Sequence, residues 1–337
     1  MKIKTLKKYA GGMALLTLLG LLPASCIKDD TAAVKETTLT LTVATRAGET
    51  VGNNEMDANE QMKTLRVIVA RHATKEIIYN EYRDEIDDNA SQYVINFGEL
   101  TIAESEDFDF YAIANENSLD LSGSGITLEE GTDIHLEALK NCIINRDYNV
   151  TEGDGPWQIP QTAFKTISVG AGKEKSATIQ LEFVVAKVRV QFINETGNDQ
   201  TISNVSLAGA EASQGYLFSG EEEGIRIPNG TTYSNLSIAS SIEVLASADE
   251  SNPAEACAYI YPSENVDFGS YVLSGVWNDQ THEVDDETIT SGELVRSLNR
   301  GQLLDITIRL IGGEHQYTIN ALVNSWNEIE MDIPDFE

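Results

Sequence analysis

The residues with evident chemistry are a cysteine and an arginine near the start of the chain. Cys26 stands directly behind Ala24 and Ser25, and its thiol is a candidate acceptor for acyl chains. Upstream, Lys2, Lys4, Lys7 and Lys8 form a basic start, and Met13 to Leu22 form an apolar run too short for a permanent bilayer span. The pattern predicts an export signal, and Ala24 and Ser25 before the cysteine resemble a bacterial lipobox, which implies removal of residues 1–25 and acylation of Cys26 as the first residue. Each buried methylene of an acyl chain contributes about 0.8 kcal/mol, so more than one chain on Cys26 gives a stable anchor without a membrane helix. Arg46 is a single exposed-looking arginine in the small, polar stretch Ala44-Thr45-Arg46-Ala47-Gly48-Glu49. The bland reading of Arg46 is a solvated loop charge. Its place directly after a lone strand, close to the anchor, raises an alternative to that reading.

Other chemistries find little support. The chain has no Gly-x-Ser-x-Gly elbow, no His-x-x-x-His pair and no glycine-rich phosphate loop after a strand. His72, His135, His282 and His315 are scattered. The acidic runs Glu221-Glu222-Glu223 and Asp285-Asp286-Glu287 are loose calcium candidates, but in so acidic a protein they read as solvated loops. Carboxylates are too common for sequence to single out a glycosidase pair. The reading is therefore a protein that is not an enzyme, with no cofactor and no metal.

Composition agrees with an exported globular protein: 41% of the 337 residues are hydrophobic and only 7 are proline, so there is ample chain for a core. The formal charge is -31, and losing residues 1–25 with their four lysines makes it -35. Such a surface repels nucleic acid and anionic lipid. After Cys26, the remaining Cys142 and Cys257 lie far apart, and two buried free thiols are expected.

The elements that must position these residues are strands. Thr38 to Val43 alternates strictly, with Leu39, Leu41 and Val43 on one face and threonines on the other, which predicts a half-buried strand. Further strands are expected at Leu65–Ala70, Ile77–Tyr82, Tyr93–Phe97 and Asp107–Asn115, the last apolar on both faces toward its end, as a central strand would be. Between Thr127 and Cys142, the spacing of Ile134, Ala138, Leu139 and Cys142 predicts one helix over an open sheet end. The longest strand signal is Phe183 to Phe192, and a domain boundary is placed just before it. Short strands continue at Ser203–Ala208, Tyr216–Phe218, Ile242–Ala246, Ala256–Tyr261, Ser270–Trp277 and Leu303–Leu310. The pattern predicts an all-β protein of two tandem antiparallel β-sandwich domains. At the C-terminus, His315 to Val323 alternates. After Trp326, Ile329, Met331 and Ile333 alternate with Glu328, Glu330 and Asp332. An end strand like this completes either its own sandwich or a neighbour's.

Ala24-Ser25-Cys26 resembles a bacterial lipobox, with Pro23 where an aliphatic residue is commoner, and Lys28-Asp29-Asp30 resembles the surface-export signal of Bacteroidetes lipoproteins. Thr45-Arg46-Ala47, Leu65–Val69, Tyr111–Asn115, Val185–Val190, Leu298-Asn299-Arg300 and a final strand with Trp326 follow in order. In that layout the chain resembles the Bacteroidales fimbrillins, subunits of type V pili. The resemblance implies transthyretin-like sandwiches and a lipidated, palmitate-bearing propeptide over 26–46. It further implies an N-terminal domain over 47–181 and a C-terminal domain over 182–337. The mechanism that the resemblance implies is an arginine-specific surface protease cutting after Arg46, loss of the first strand from its groove, and its replacement by another subunit's C-terminal strand. Ile329, Met331 and Ile333 are the donor candidates, with Tyr317 to Val323 as the alternative. The implied partners are other fimbrial subunits, that protease, and the outer membrane before cleavage, with the mature protein in an extracellular fimbrium serving adhesion. The Arg46 junction and the end strand together favour a shaft role over a tip or anchor. A surface glycan-binding lipoprotein is the rival, with Trp157, Trp277 and Trp326 as stacking candidates.

Overall fold

Strands dominate the computed structural model, which describes residues 35–45, 57–84, 86, 92–102, 105–153, 155–172, 174–220, 224–264, 270–278, 287–312 and 316–326. The first sandwich contains β1 (Lys35–Ala44), β2 (Leu65–Arg71), β3 (Ile77–Arg83), β4 (Gln92–Ile102), β5 (Glu106–Ala114), β6 (Gln161–Val169), β7 (Lys175–Gln180) and the short β8 (Glu182–Phe183). Its sheets run β7-β1-β4 and β8-β6-β5-β2-β3. The second contains β9 (Ala186–Glu195), β10 (Gln200–Ala212), β11 (Tyr233–Val244), β12 (Ala254–Ile260), β13 (Val272–Asn278), β14 (Glu287–Thr290), β15 (Gln302–Ile311) and β16 (Gln316–Ser325). Its sheets run β12-β9-β15-β16 and β11-β10-β13-β14.

The two sandwiches repeat one topology. In each, the first strand lies between a parallel late strand and an antiparallel middle one: β1 between β7 and β4, β9 between β15 and β12. The facing sheets also correspond, β3-β2-β5-β6 to β11-β10-β13-β14. β16 has no counterpart among the described strands of the first sandwich and lies beyond β15 at a sheet edge. The sandwiches are thus antiparallel except for one parallel pair each.

Alternation explains the layers. Phe108, Phe110, Ala112 and Ala114 of β5 face the core of the first sandwich, together with Leu65, Val67 and Val69 of β2. Tyr111 and Ile113 face the other way, into a separate apolar cluster with residues of both sandwiches, including Phe183, Leu217, Tyr259 and Trp326. That second cluster is why β5 is apolar on both faces.

Three features differ from the sequence expectation. The run Phe183–Phe192 is divided: Phe183 pairs with Gln161 of β6, whereas Ala186 opens the second sandwich by pairing with Ile260. Val184 and Val185 between them are buried, so hydrophobicity alone does not reveal the break. The helix, α1 (Leu136–Lys140), is only five residues long; His135 Nδ1 caps its start by accepting from the Ala138 N–H at 3.1 Å. The Asn141 amide donates to the Glu137 carbonyl at 2.9 Å at its other end. β11 begins at Tyr233, nine residues before the expected strand at Ile242, because its exposed polar face masks the alternation.

Candidate functional site: the bed of the first strand

β1 is the middle strand of its sheet. Leu39, Leu41 and Val43 pair in parallel with Lys175, Ala177 and Ile179 of β7, while Leu41 and Val43 stand opposite Ile95 and Tyr93 of β4. All three apolar side chains are fully buried, against a core that includes Phe108, Phe110, Ile167 and Leu181. Burial of each contributes about 1.5–3 kcal/mol. Thr40, on the opposite face, donates its hydroxyl to Asn96 Oδ1 at 3.0 Å. The end of β1 is fixed by the Leu181 N–H donating to the Ala44 carbonyl at 2.8 Å, and Thr45 is buried. Arg46 and Ala47 lie outside the described residues, as do Cys26 and the donor candidates Ile329, Met331 and Ile333.

Taking β1 out would expose β7 on one side and β4 on the other, with an apolar floor between them. Two unpaired strand edges over a hydrophobic floor form an acceptor for an added strand. The alternative donor stretch is placed: Tyr317, Ile319 and Val323 are half-buried on β16 and pack on the core of the second sandwich. The Tyr317 hydroxyl accepts the Thr290 N–H at 3.0 Å.

Of the stacking candidates, Trp277 and Trp326 are buried. Trp277 donates its indole N–H to Gln200 Oε1 at 2.7 Å, and Trp326 stacks on Phe183 with ring centres 4.0 Å apart. The guanidinium of Arg146 covers Trp157 at 3.7 Å from its ring centre. These three side chains do not form a shared sugar-binding platform. Cys142 is buried and Cys257 half-buried, both as free thiols. Burial pushes the Cys257 thiol up to about 11. His72 Nδ1 lies 2.7 Å from the buried Asp109, and His135 caps α1; His282 and His315 lie outside the described residues. Glu221–Glu223, Asp285 and Asp286 do so too. Among the described residues no group of three or more His, Cys, Asp or Glu side chains is placed to hold a metal, and no helix is long and apolar enough to cross a membrane.

Sequence reasoning missed two buried cations. Arg300 donates to the Phe183 carbonyl from Nε at 3.1 Å, to the Leu217 carbonyl from Nη1 at 3.3 Å and to Thr162 Oγ1 from Nη2 at 2.7 Å. Burial pushes its guanidinium down to about 10, against the opposing charge of Glu182. Lys187 holds Asp57 and Glu60, more than a hundred residues earlier. Its signal was a lysine inside Val185-Ala186-Lys187-Val188, where a charge must find a partner.

The architecture defines a class of protein: tandem sandwiches of one topology, with a first strand laid between two others. Solved structures share it. The chain aligns with a protein described as a cell adhesion protein of Parabacteroides distasonis, at 13% identity and TM-score 0.53, over 87% of this chain and 98% of that one. It aligns with the tip fimbrial protein Mfa3 of Porphyromonas gingivalis, C-terminally truncated, at 13% identity and TM-score 0.52, over 86% and 100%. A fimbrial assembly protein of P. distasonis matches at 11% identity and TM-score 0.50, over 86% and 99%. No family model and no curated protein matches the sequence. At these identities the likeness is one of fold: the chain has the fold of Bacteroidales fimbrial proteins.

Proposed function

We propose that the chain is a structural subunit of a cell-surface fimbria, assembled by exchange of its first strand. The observation that carries this reading is the placement of β1, which is fully buried on its apolar face yet ends at Ala44, with only Thr45 between it and Arg46. Export as a lipoprotein on Cys26 puts β1 on the anchored side of the cut. An arginine-specific surface protease then separates residues 26–46 from the mature subunit, and β1 leaves with its lipid.

The incoming strand runs parallel to β7 and antiparallel to β4 and presents three apolar side chains at alternate positions, as Leu39, Leu41 and Val43 do. Ile329, Met331 and Ile333 supply that pattern. Among the described residues, the second sandwich has the seven-strand repeat within residues 186–311, which supports reading residues 327–337 as the donated segment. The domains are then 47–181 and 182–337, except that Glu182 and Phe183 pair with the first sandwich. A tip role is a second reading, supported by the fold shared with Mfa3; a tip subunit closes a polymer and does not extend it.

The test compares purified precursor with its Arg46→Ala variant after trypsin treatment, by electron microscopy. Wild type is expected to polymerise, and the variant to remain a stable monomer with β1 in place. Wild-type levels of polymer from the uncut variant would contradict the reading, and a cut wild type that caps polymers without extending them would select the tip role.

A further inference from the structure

Lys187 is the second residue of β9 and is buried, as is Glu60. Its ammonium donates to Glu60 Oε1 at 2.7 Å and to Asp57 Oδ2 at 2.8 Å. Tyr259, directly opposite Lys187 on β12, donates its hydroxyl to the same Glu60 oxygen at 2.9 Å and lies 3.2 Å from Asn59 Oδ1. Trp326, the residue after β16, completes the cluster. Its ring centre is 5.7 Å from that of Tyr259 and 5.8 Å from Lys187 Nζ, and its backbone N–H donates to the Gly301 carbonyl at 2.8 Å.

A buried lysine–glutamate pair is poor evidence for stability, because well-packed apolar residues often do as well. What it supplies is fixed geometry. Here Lys187 touches two segments far apart in sequence: it is paired to residues 57–60, eleven residues after Arg46, and lies against the ring of Trp326, the last described residue before 327–337, which also stacks on Phe183. Burial disfavours the charge on Lys187, but Glu60 and Asp57 outweigh it and hold the ammonium above its ordinary range.

We infer that Lys187 is a positioning residue for assembly, fastening the segment downstream of the processing junction and the root of the donor tail to one point on the second sandwich. The roles of junction and tail rest on the proposed function; the coupling between the two segments does not. A cut at Arg46 then frees the upstream side alone, while the start of the mature chain and the root of its tail stay docked together.

Hydrogen exchange with mass spectrometry on the uncut, full-length chain tests the coupling. In Lys187→Met, peptides covering 57–62 and 324–326 are both expected to exchange faster, by on the order of a hundredfold, with β10 unchanged. Trp326→Ala should speed exchange at 57–62, and Tyr259→Phe should speed both segments while leaving the lysine in place. These two variants carry the test if Lys187→Met does not fold. Acceleration of one segment without the other would overturn the inference. The assembly role has its own readout: after the cut, Tyr259→Phe should polymerise more slowly with its melting temperature within a few degrees of wild type, and unimpaired assembly would overturn that role. Absence of any cut at Arg46 would count against the proposed function instead, leaving the exchange result to decide the coupling.

Discussion

Leu39, Leu41 and Val43 are as buried as any described residue, and under the proposed exchange a replacement strand has to regain what the departing one gives up. Asp109 is a contrasting case, a buried carboxylate with a fixed structural task. Burial alone would raise its pKa, but hydrogen bonds from Lys75, His72 and Thr166 outweigh it and hold the carboxyl below its ordinary value of 3.8. A depressed carboxylate contributes stability that is complete above the unfolded-state value and is lost as pH falls through the folded one. Asp109→Asn is therefore expected to destabilise the protein by about 1–3 kcal/mol at pH 7 and to lose part of the stability decline below pH 4. Urea titrations at pH 7 and pH 3 check this, and an equal difference at both would contradict it. The three β1 residues were legible in the sequence because alternation is local. The Lys187 cluster was not, because Asp57 and Glu60 lie 130 and 127 residues away from the lysine and nothing local names them.

At the scale of elements, β1 and β5 were readable from period-two patterning, including the two apolar faces of β5. The division of Phe183–Phe192 was not, since both of its parts are buried and only long-range pairing assigns Phe183 to β6 and Ala186 to β12. α1 was read as too long because apolar spacing marks its packing face and says nothing of the caps at His135 and Asn141. In the proposed function, β16 raises the question of which C-terminal segment is the donor. Its half-buried Tyr317, Ile319 and Val323 belong to the second sandwich's own packing, so residues 328–337 are the better candidate. Deleting Glu328 to Glu337 should leave the melting temperature of the uncut monomer nearly unchanged and stop assembly after the cut. Loss of core side chains costs roughly 2–5 kcal/mol apiece, so a large fall in melting temperature would return the segment to the protein's own core and leave β16 as the donor.

Across the whole molecule, two copies of one topology differ in what precedes their first strands. β9 is continuous with the first sandwich through Val184 and Val185, and removing it would sever the chain. β1 occupies the equivalent place next to the proposed cut, so in the proposed function the exchanged strand belongs to the first sandwich. Arg300 and the shared apolar cluster hold the sandwiches together independently of β1. The central claim is that β1 belongs to the precursor and not to the assembled subunit. Its most direct test is mass spectrometry of subunits from polymer purified off cells, beside the uncut precursor. The account predicts a precursor acylated at Cys26 and polymer subunits that begin at Ala47; assembled subunits that still carry Leu39, Leu41 and Val43 would contradict it.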